Sequence, residues 1–161
     1  MVYQAKSKDE TLSVSGVLPH LGLSYIPTGQ GFGIIDLYTR LIIAWRLSRT
    51  LEAKFVVECI EEARRKRRGA KPLIFHTDRG SQYVSKAYQK AVAGIRASYS
   101  QKASPWQNAC IESFHALIKR ECLNRVSIRD YDHAYRLVFA YIEAFYNTVR
   151  SHSHCNYLSP Q

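Results

Sequence analysis

A short apolar run that ends in an acid constrains the fold of this chain more than any other feature. The run is Leu73-Ile74-Phe75, and His76-Thr77-Asp78 follows it. It is typical of a buried strand, whose end would carry Asp78 to the edge of a sheet. Farther along, Asn108 can cap a helix that carries Glu112 in its first turns. One carboxylate at a strand end and another on a nearby helix are a common way to hold a divalent metal ion.

The pattern of apolar residues predicts strands and helices along most of the chain. Strands are predicted at 23–26, 33–38, 41–45, 73–76 and 95–100, and helices at 50–69, 85–93, 108–123 and 130–149. A strand, a helix and a second strand in succession imply a parallel pairing. The order therefore predicts an α/β fold with a mixed sheet flanked by helices. The last helix is expected to bury Tyr131, Ala134, Val138, Tyr141, Ile142 and Phe145.

The charge of the chain favours a polyanionic partner. The net charge is +10 over 161 residues, which favours nucleic acid first and an anionic membrane second. Five cations end the helix predicted at 50–69: Arg64, Arg65, Lys66, Arg67 and Arg68. The helix dipole explains one or two of them, and the others could lie along phosphates or simply face solvent. A scattered positive surface is the alternative explanation of the whole charge.

The cysteine and hydropathy patterns favour the cytoplasm. The four cysteines include no Cys-x-x-Cys pair, which fits a reducing compartment. No apolar stretch approaches the roughly 20 residues of a membrane span, and no signal-peptide pattern follows Met1. His152, His154 and Cys155 could be metal ligands, but a fourth ligand at suitable spacing is absent, so we do not expect zinc.

Three motifs give the chain a family resemblance. They are HTDRGSQYVS at 76–85, SPWQNACIESFHALIK at 104–119 and FYNTVRSHSHCNYLSP at 145–160. In order and spacing they resemble the catalytic core of bacterial insertion-sequence transposases of the retroviral-integrase (DDE) type. The resemblance runs from about residue 23 to residue 161. It implies a ribonuclease-H-like fold, with residues 1–22 as a loose arm or linker and 23–161 as the core domain.

The resemblance also implies a function and its partners. The family integrates and recombines DNA during transposition by metal-dependent phosphoryl transfer, with Mg²⁺ or Mn²⁺ as cofactor. DNA is the implied partner, with a homo-oligomer assembled on it, and neither a membrane nor a small-molecule substrate is expected. Such transposases usually carry a helix-turn-helix region before the core. The chain shows none, so we interpret it as a core fragment or the product of a shortened gene.

The family uses two Asp and one Glu to hold two metal ions, which activate the attacking hydroxyl and stabilise the leaving oxygen. By resemblance, Asp78 is the second Asp and Glu112 the Glu, both catalytic and metal-binding. Alternatively, Asp78 could simply be an acid in a turn at a strand end, and Glu112 an acid in the first turn of a helix, where the helix dipole favours it. The first Asp matches Gly22, which has no side chain. Asp36 is a poor substitute for the missing acid because it matches a structural Asp of the family, and Asp9 and Glu10 on the arm are poorer still. Catalysis is therefore expected to be impaired.

Other residues are predicted to handle DNA. Lys119 lies seven residues after Glu112, two turns along the same helix face, with His115 between them. The alternative for Lys119 is an ordinary exposed lysine. Arg79 and Gln82 could contact phosphate or cap the turn that contains Asp78. The terminal motif, from Tyr146 to His152, is interpreted as packing at a helix end rather than as chemistry.

Three rival functions stay open beside the impaired transposase core. A non-catalytic DNA-binding or assembly module would keep the fold and the charge; the loss at Gly22 favours it, and the presence of Asp78 and Glu112 disfavours it. A decayed gene product would have a poorly packed core and no cooperative thermal transition. A nuclease or ribonuclease H would share the fold, but the terminal motifs favour transposition.

Overall fold

The computed structural model describes residues 11–13, 30–50, 52–66, 74–77, 85–101 and 109–161. Five strands form one sheet in the spatial order β3-β2-β1-β4-β5. They are β1 Thr11–Ser13, β2 Gln30–Asp36, β3 Ile42–Ser48, β4 Ile74–Thr77 and β5 Arg96–Tyr99. β1 is antiparallel to β2 and parallel to β4, and β5 is parallel to β4. The predicted mixed sheet is therefore confirmed.

Helices cover both faces of the sheet. They are α1 Ala53–Lys66, α2 Lys86–Ala91, α3 Ala109–Glu121 and α4 Tyr131–Phe139, which continues as a π-helical segment over Ala140–Tyr146. Short 3-10 turns occupy Leu123–Arg125 and Ser153–Cys155. Ser85 caps α2 and Asp130 caps α4, each by accepting a backbone N–H in the first turn. These caps fix the helix starts close to where the sequence predicts them.

The first face of the sheet packs against α1 and α2. Phe32, Ile34 and Ala44 lie on it and are almost fully buried. The apolar stripe of α1 covers them, because its members recur every three or four residues; they are Val56, Cys59, Ile60 and Ala63. Phe75 of β4 and Tyr88 of α2 complete this cluster.

The second face packs against α3 and α4. It presents Ile35, Ile42 and Trp45, which meet side chains from both helices and from the π-helical segment; these are Ile111, Phe114, Ile118, Ala134, Val138, Tyr141, Ile142 and Tyr146. The apolar face predicted for the last helix is thus largely confirmed. The packing of helices on both faces fixes where the start of α3 meets the sheet.

Two predictions about the elements need correction. Residues 1–22 were expected to form a loose arm, but Thr11–Ser13 form a strand inside the sheet, where pairing with two neighbours outweighs the weak local pattern. The predicted strand at 23–26 lies outside the described residues, and the domain boundary at residue 22 stays a prediction. Phe145 was expected to be buried and is 40% exposed, whereas Tyr146 is 1% exposed. The wider π-helical turn, in which Asn147 N–H donates to Ile142 O, shifts the buried face by one residue.

Candidate active site

The end of β4 leads directly into Asp78. Thr77, the last residue of β4, is fully buried, and Ser100 N–H donates to its carbonyl at 2.9 Å. His76 lies between two serines of the β5 region, with Nδ1 3.0 Å from Ser98 Oγ and Nε2 3.0 Å from Ser100 Oγ. These contacts hold the last two residues of β4, which precede Asp78 in the sequence. Asp78 itself, Arg79 and Gln82 lie outside the described residues.

The strand beside β4 carries no acid. Thr11, Leu12 and Ser13 make up β1, and Ser13 pairs with His76. Thr11, which follows Glu10 in the chain, pairs with Ile74 at the far end of β4 from Thr77. Gly22 lies outside the described residues.

Asp36 has a structural role in the turn between β2 and β3. Its Oδ1 accepts the N–H of Tyr38 at 2.8 Å, and its backbone N–H donates to Leu41 O at 2.9 Å. A carboxylate that accepts the N–H two residues ahead is typical of a turn. This geometry agrees with the interpretation of Asp36 as a structural acid rather than a substitute metal ligand.

Glu112 lies in the first turn of α3 and is exposed. Ile111 and Phe114 anchor this end of the helix on the sheet, and a Cβ added at Gly33 of β2 would lie 4.0 Å from Ile111 Cδ1. The start of α3 therefore crosses over β2. The exposed side of the same turn leaves the Glu112 carboxylate accessible to a ligand.

His115 and Lys119 flank the exposed face of α3, and both are partly buried. Burial, and then the charge of Lys119, lower the pKa of His115 to about 4. His115 is therefore neutral at pH 7, so a DNA contact at this residue would be uncharged. Its Nε2 is buried and finds no hydrogen-bond partner among the described residues. Lys119 keeps the position that the sequence predicts, one turn beyond His115.

Some of the cations at the basic end of α1 bind backbone carbonyls of the fold, and another is exposed. Arg64 donates to Ala91 O at 2.7 Å and to Ala93 O at 3.1 Å. Lys66 Nζ donates to Ile43 O at 2.9 Å and pairs with Glu62. Arg65 is exposed and forms no salt bridge within the described ranges. Arg67 and Arg68 lie outside those ranges. Two of the five predicted phosphate contacts thus already serve the fold.

Arg40, in the β2–β3 turn, is a residue at this site that was not predicted from the sequence. Its φ is 65°, and its guanidinium donates through Nη1 to Cys110 Sγ and through Nη2 to His154 Nδ1 at 3.3 Å. His154 Nε2 then donates to Tyr38 O at 3.1 Å, and Cys155 Sγ donates to Thr39 O at 3.2 Å. His154 and Cys155 therefore bind the β2–β3 turn. The positive φ of Arg40 would have indicated its special position, but a backbone angle cannot be read from the sequence.

The terminal motif packs as expected. Tyr146 is 1% exposed and makes an edge-to-face contact with Phe114, with ring centroids 4.9 Å apart. Arg150 binds Glu121 with both Nε and Nη2 at 2.8 Å. The hydrogen bonds from Arg150 are the main reason that the pKa of Glu121 falls to about 2. These contacts lock the end of α3 to the C-terminal segment.

The donor chemistry of the two predicted ligands fits a hard divalent cation. Asp78 and Glu112 offer carboxylate oxygens, which Mg²⁺ and Mn²⁺ prefer. The part of the chain that the structure describes, which includes Glu112 but not Asp78, holds no group of three or more His, Cys, Asp or Glu side chains suited to a metal. In that same part, no helix is long and apolar enough to cross a membrane.

Known sequences resemble this chain over most of its length. Two family models, both described as integrase core domain, match residues 25–105 and 93–160. The chain is 39% identical to the transposase for insertion sequence element IS904 of Lactococcus lactis, covering 86% of this chain and 57% of that protein. It is 35% identical to transposase InsF for insertion sequence IS3A of Escherichia coli, covering 86% and 50%. The chain thus spans about half the length of these relatives, and the family match begins three residues after Gly22.

Solved structures resemble the fold. A chain of the simian T-cell lymphotropic virus intasome in complex with the PP2A regulatory subunit B56 gamma superposes with a TM-score of 0.67 at 11% identity, over 94% of this chain and 52% of that one. The catalytic core domain of BIV integrase superposes with a TM-score of 0.63 at 13% identity, over 93% and 90%. These likenesses confirm the predicted ribonuclease-H-like fold.

Proposed function

This chain belongs to the integrase core domain family, with the transposases of insertion sequences, and we propose that it acts on DNA in transposition as a core with impaired catalysis. The observation that carries the proposal is the matching architecture. Asp78 directly follows β4, a strand inside the sheet, in the sequence, and Glu112 lies on the exposed side of a helix packed over the same sheet. Together these are two of the three acids that the family motif requires.

Asp78 and Glu112 are the proposed ligands of Mg²⁺ or Mn²⁺. A bound divalent ion supplies charge that polarises a phosphoryl oxygen and stabilises a leaving oxygen. The chain's own residues would bind and orient the DNA. Lys119 is proposed to contact a phosphate beside the acids, with Arg79 and Gln82 near Asp78, and neutral His115 would contribute a hydrogen bond at most.

The proposed impairment follows from the missing first acid. Gly22 stands where the motif has Asp, and the three residues of β1 include no carboxylate. With two carboxylates instead of three, less negative charge attracts the ions, so metal affinity falls and a two-ion site is hard to fill. DNA cleavage should accordingly be weak or absent although the fold is retained.

Nicking of an end-labelled DNA duplex with Mn²⁺ tests this proposal. We expect no nicking by the native chain, nicking by Gly22→Asp, and none by the Gly22→Asp, Glu112→Gln double variant. Glu112→Gln changes charge without changing size, so it is the matched control. Nicking by the native chain that Glu112→Gln abolishes would show that another group replaces the first acid, and the impairment proposal would then be wrong.

A DNA-binding or assembly module without catalysis is the second candidate, favoured by the net charge of +10. The same series separates the two functions, because this module predicts DNA binding with no nicking even in Gly22→Asp. We propose DNA as the partner in either case, in the cytoplasm. Assembly as a homo-oligomer on DNA is proposed because one structural neighbour is part of an intasome.

Arg65 and Arg64 offer a matched pair for testing DNA contact. Arg65→Gln should weaken DNA binding and lower the slope of log affinity against log salt by about 1, because it removes one phosphate contact. Its melting temperature should not change. Arg64→Gln should instead lose about 1 kcal/mol of unfolding free energy, since it breaks the bonds to Ala91 O and Ala93 O. Equal salt slopes for Arg65→Gln and the native chain would contradict the contact.

A further inference from the structure

One partly buried guanidinium connects three segments that are distant in the sequence. Arg40 stands in the β2–β3 turn, its Nη1 donates to Cys110 in the first turn of α3, and its Nη2 donates to His154 in the C-terminal segment. The partners are 70 and 114 residues away in the chain. The Nε atom is also buried, so the base of the guanidinium is enclosed.

The turn that presents Arg40 is itself held in place. Tyr38 O accepts from His154 Nε2 at 3.1 Å, and Thr39 O accepts from Cys155 Sγ at 3.2 Å. Arg40 N–H donates to Asp36 O at 2.7 Å, which closes the turn. The two carbonyls before Arg40 are therefore bound by the C-terminal segment, and the direction of the Arg40 side chain is fixed.

Cys110 precedes Glu112 by two residues, so the contact with Arg40 acts on the turn that carries the Glu112 carboxylate. The buried side of α3 is held separately, by Phe114 against Tyr146 at 4.9 Å between ring centroids. Phe114 prevents the helix from lifting off the sheet, whereas Arg40 fixes the start of the helix along it. A metal ligand needs both constraints, because carboxylates must be oriented to share an ion.

We propose that Arg40 is a positioning residue for Glu112, joining the first turn of α3 to the β2–β3 turn and the C-terminal segment. The inference rests on the proposed function, in which Glu112 is a metal ligand. Lysine is a poor replacement, since its single ammonium cannot reproduce the planar fork that reaches Cys110 and His154 together.

Mn²⁺ affinity, measured from the electron paramagnetic resonance signal of the free ion, tests the inference. The chains compared are native, Arg40→Met, Glu112→Gln and the double variant, with Arg136→Met as control. Arg136 is an exposed arginine of α4, so its replacement removes the same charge outside the Arg40 contacts. Arg40→Met should weaken Mn²⁺ binding about tenfold, in the range of losses seen when a group that orients a ligand is removed. Arg136→Met should leave the affinity unchanged.

The double variant distinguishes positioning from a general loss of structure. If Arg40 acts through Glu112, the double variant binds Mn²⁺ no more weakly than Glu112→Gln alone. Additive losses, or an unchanged affinity in Arg40→Met, would overturn the inference while leaving the proposed function intact. An unchanged affinity in Glu112→Gln would overturn both. Should Arg40→Met lack a cooperative thermal transition, Arg40→Lys takes its place and is expected to show an intermediate loss, with a native affinity counting against the proposal.

Discussion

The Asn147→Leu variant is expected to melt about 5–15 °C below the native chain, from a loss of about 2–4 kcal/mol in unfolding free energy. Asn147 is 4% exposed, and its side chain acts as a strand partner for Ile42. Oδ1 accepts Ile42 N–H at 3.0 Å, and Nδ2 donates to Ile42 O at 3.1 Å. Leucine fills a similar volume but satisfies neither backbone group, so both stay buried without a partner.

The position of Ile42 in the sheet explains why its two hydrogen bonds with Asn147 contribute to stability. Ile42 begins β3, which in the described part of the chain is an edge strand and pairs with another strand, β2, on one side only. The control is Thr148→Val, at the next position, where an exposed hydroxyl donates to Ala144 O, four residues earlier in the chain. In thermal melts followed by circular dichroism, the melting temperature of Asn147→Leu should lie below that of Thr148→Val by most of the expected decrease. Equal melting temperatures would mean that water replaces the amide of Asn147 at no cost.

Much of the fold could be predicted from the sequence because its pattern is local. The stripe of α1 from Val56 to Ala63 repeats at helical spacing, and the caps Ser85 and Asp130 are recognisable residues beside such stripes. The run that becomes β4 is apolar and short. Each of these signals lies within one element, so no knowledge of distant contacts is needed to interpret it.

The parts that escaped prediction depend on distant partners. β1 consists of Thr11–Ser13, too short to show a period, and it is a strand because β2 and β4 pair with it on both sides. The π-helical turn that buries Tyr146 in place of Phe145 is not encoded by spacing either. In both cases tertiary packing decides a structure that local propensity leaves open.

The candidate site likewise contains some residues that local spacing predicts and others that depend on distant contacts. Glu112 and Lys119 could be placed on one face of α3 from their spacing alone, and the structure has them there. The neutral state of His115 follows from burial, which only the packed structure shows. The contacts of Arg40 join the β2–β3 turn to residues on α3 and near the C-terminus, so no pattern within a window of sequence could reveal them.

The second large effect is expected at Glu121, whose replacement by Gln should cost about 2 kcal/mol in unfolding free energy at pH 7. Glu121 accepts two parallel bonds from Arg150 at 2.8 Å and a third from Tyr141 Oη at 2.7 Å. Both charged side chains are mostly shielded, at 21% and 19% exposure. Glutamine loses the charge and one acceptor, and it leaves Arg150 partly unpaired. Urea unfolding at constant pH measures the loss.

The pH dependence of that loss identifies its cause. The pKa of Glu121 is lowered to about 2, chiefly by Arg150, so the folded state gains stability from the ionised carboxylate. This gain is complete above the ordinary glutamate pKa of about 4.3 and disappears as the pH falls from there towards 2. The difference between the native chain and Glu121→Gln should therefore shrink over that window. Glu52→Gln, which breaks an exposed pair with Lys54, should lose much less stability than Glu121→Gln at pH 7, because solvent screens exposed pairs. A difference at Glu121 that is independent of pH would assign the loss to packing instead of charge.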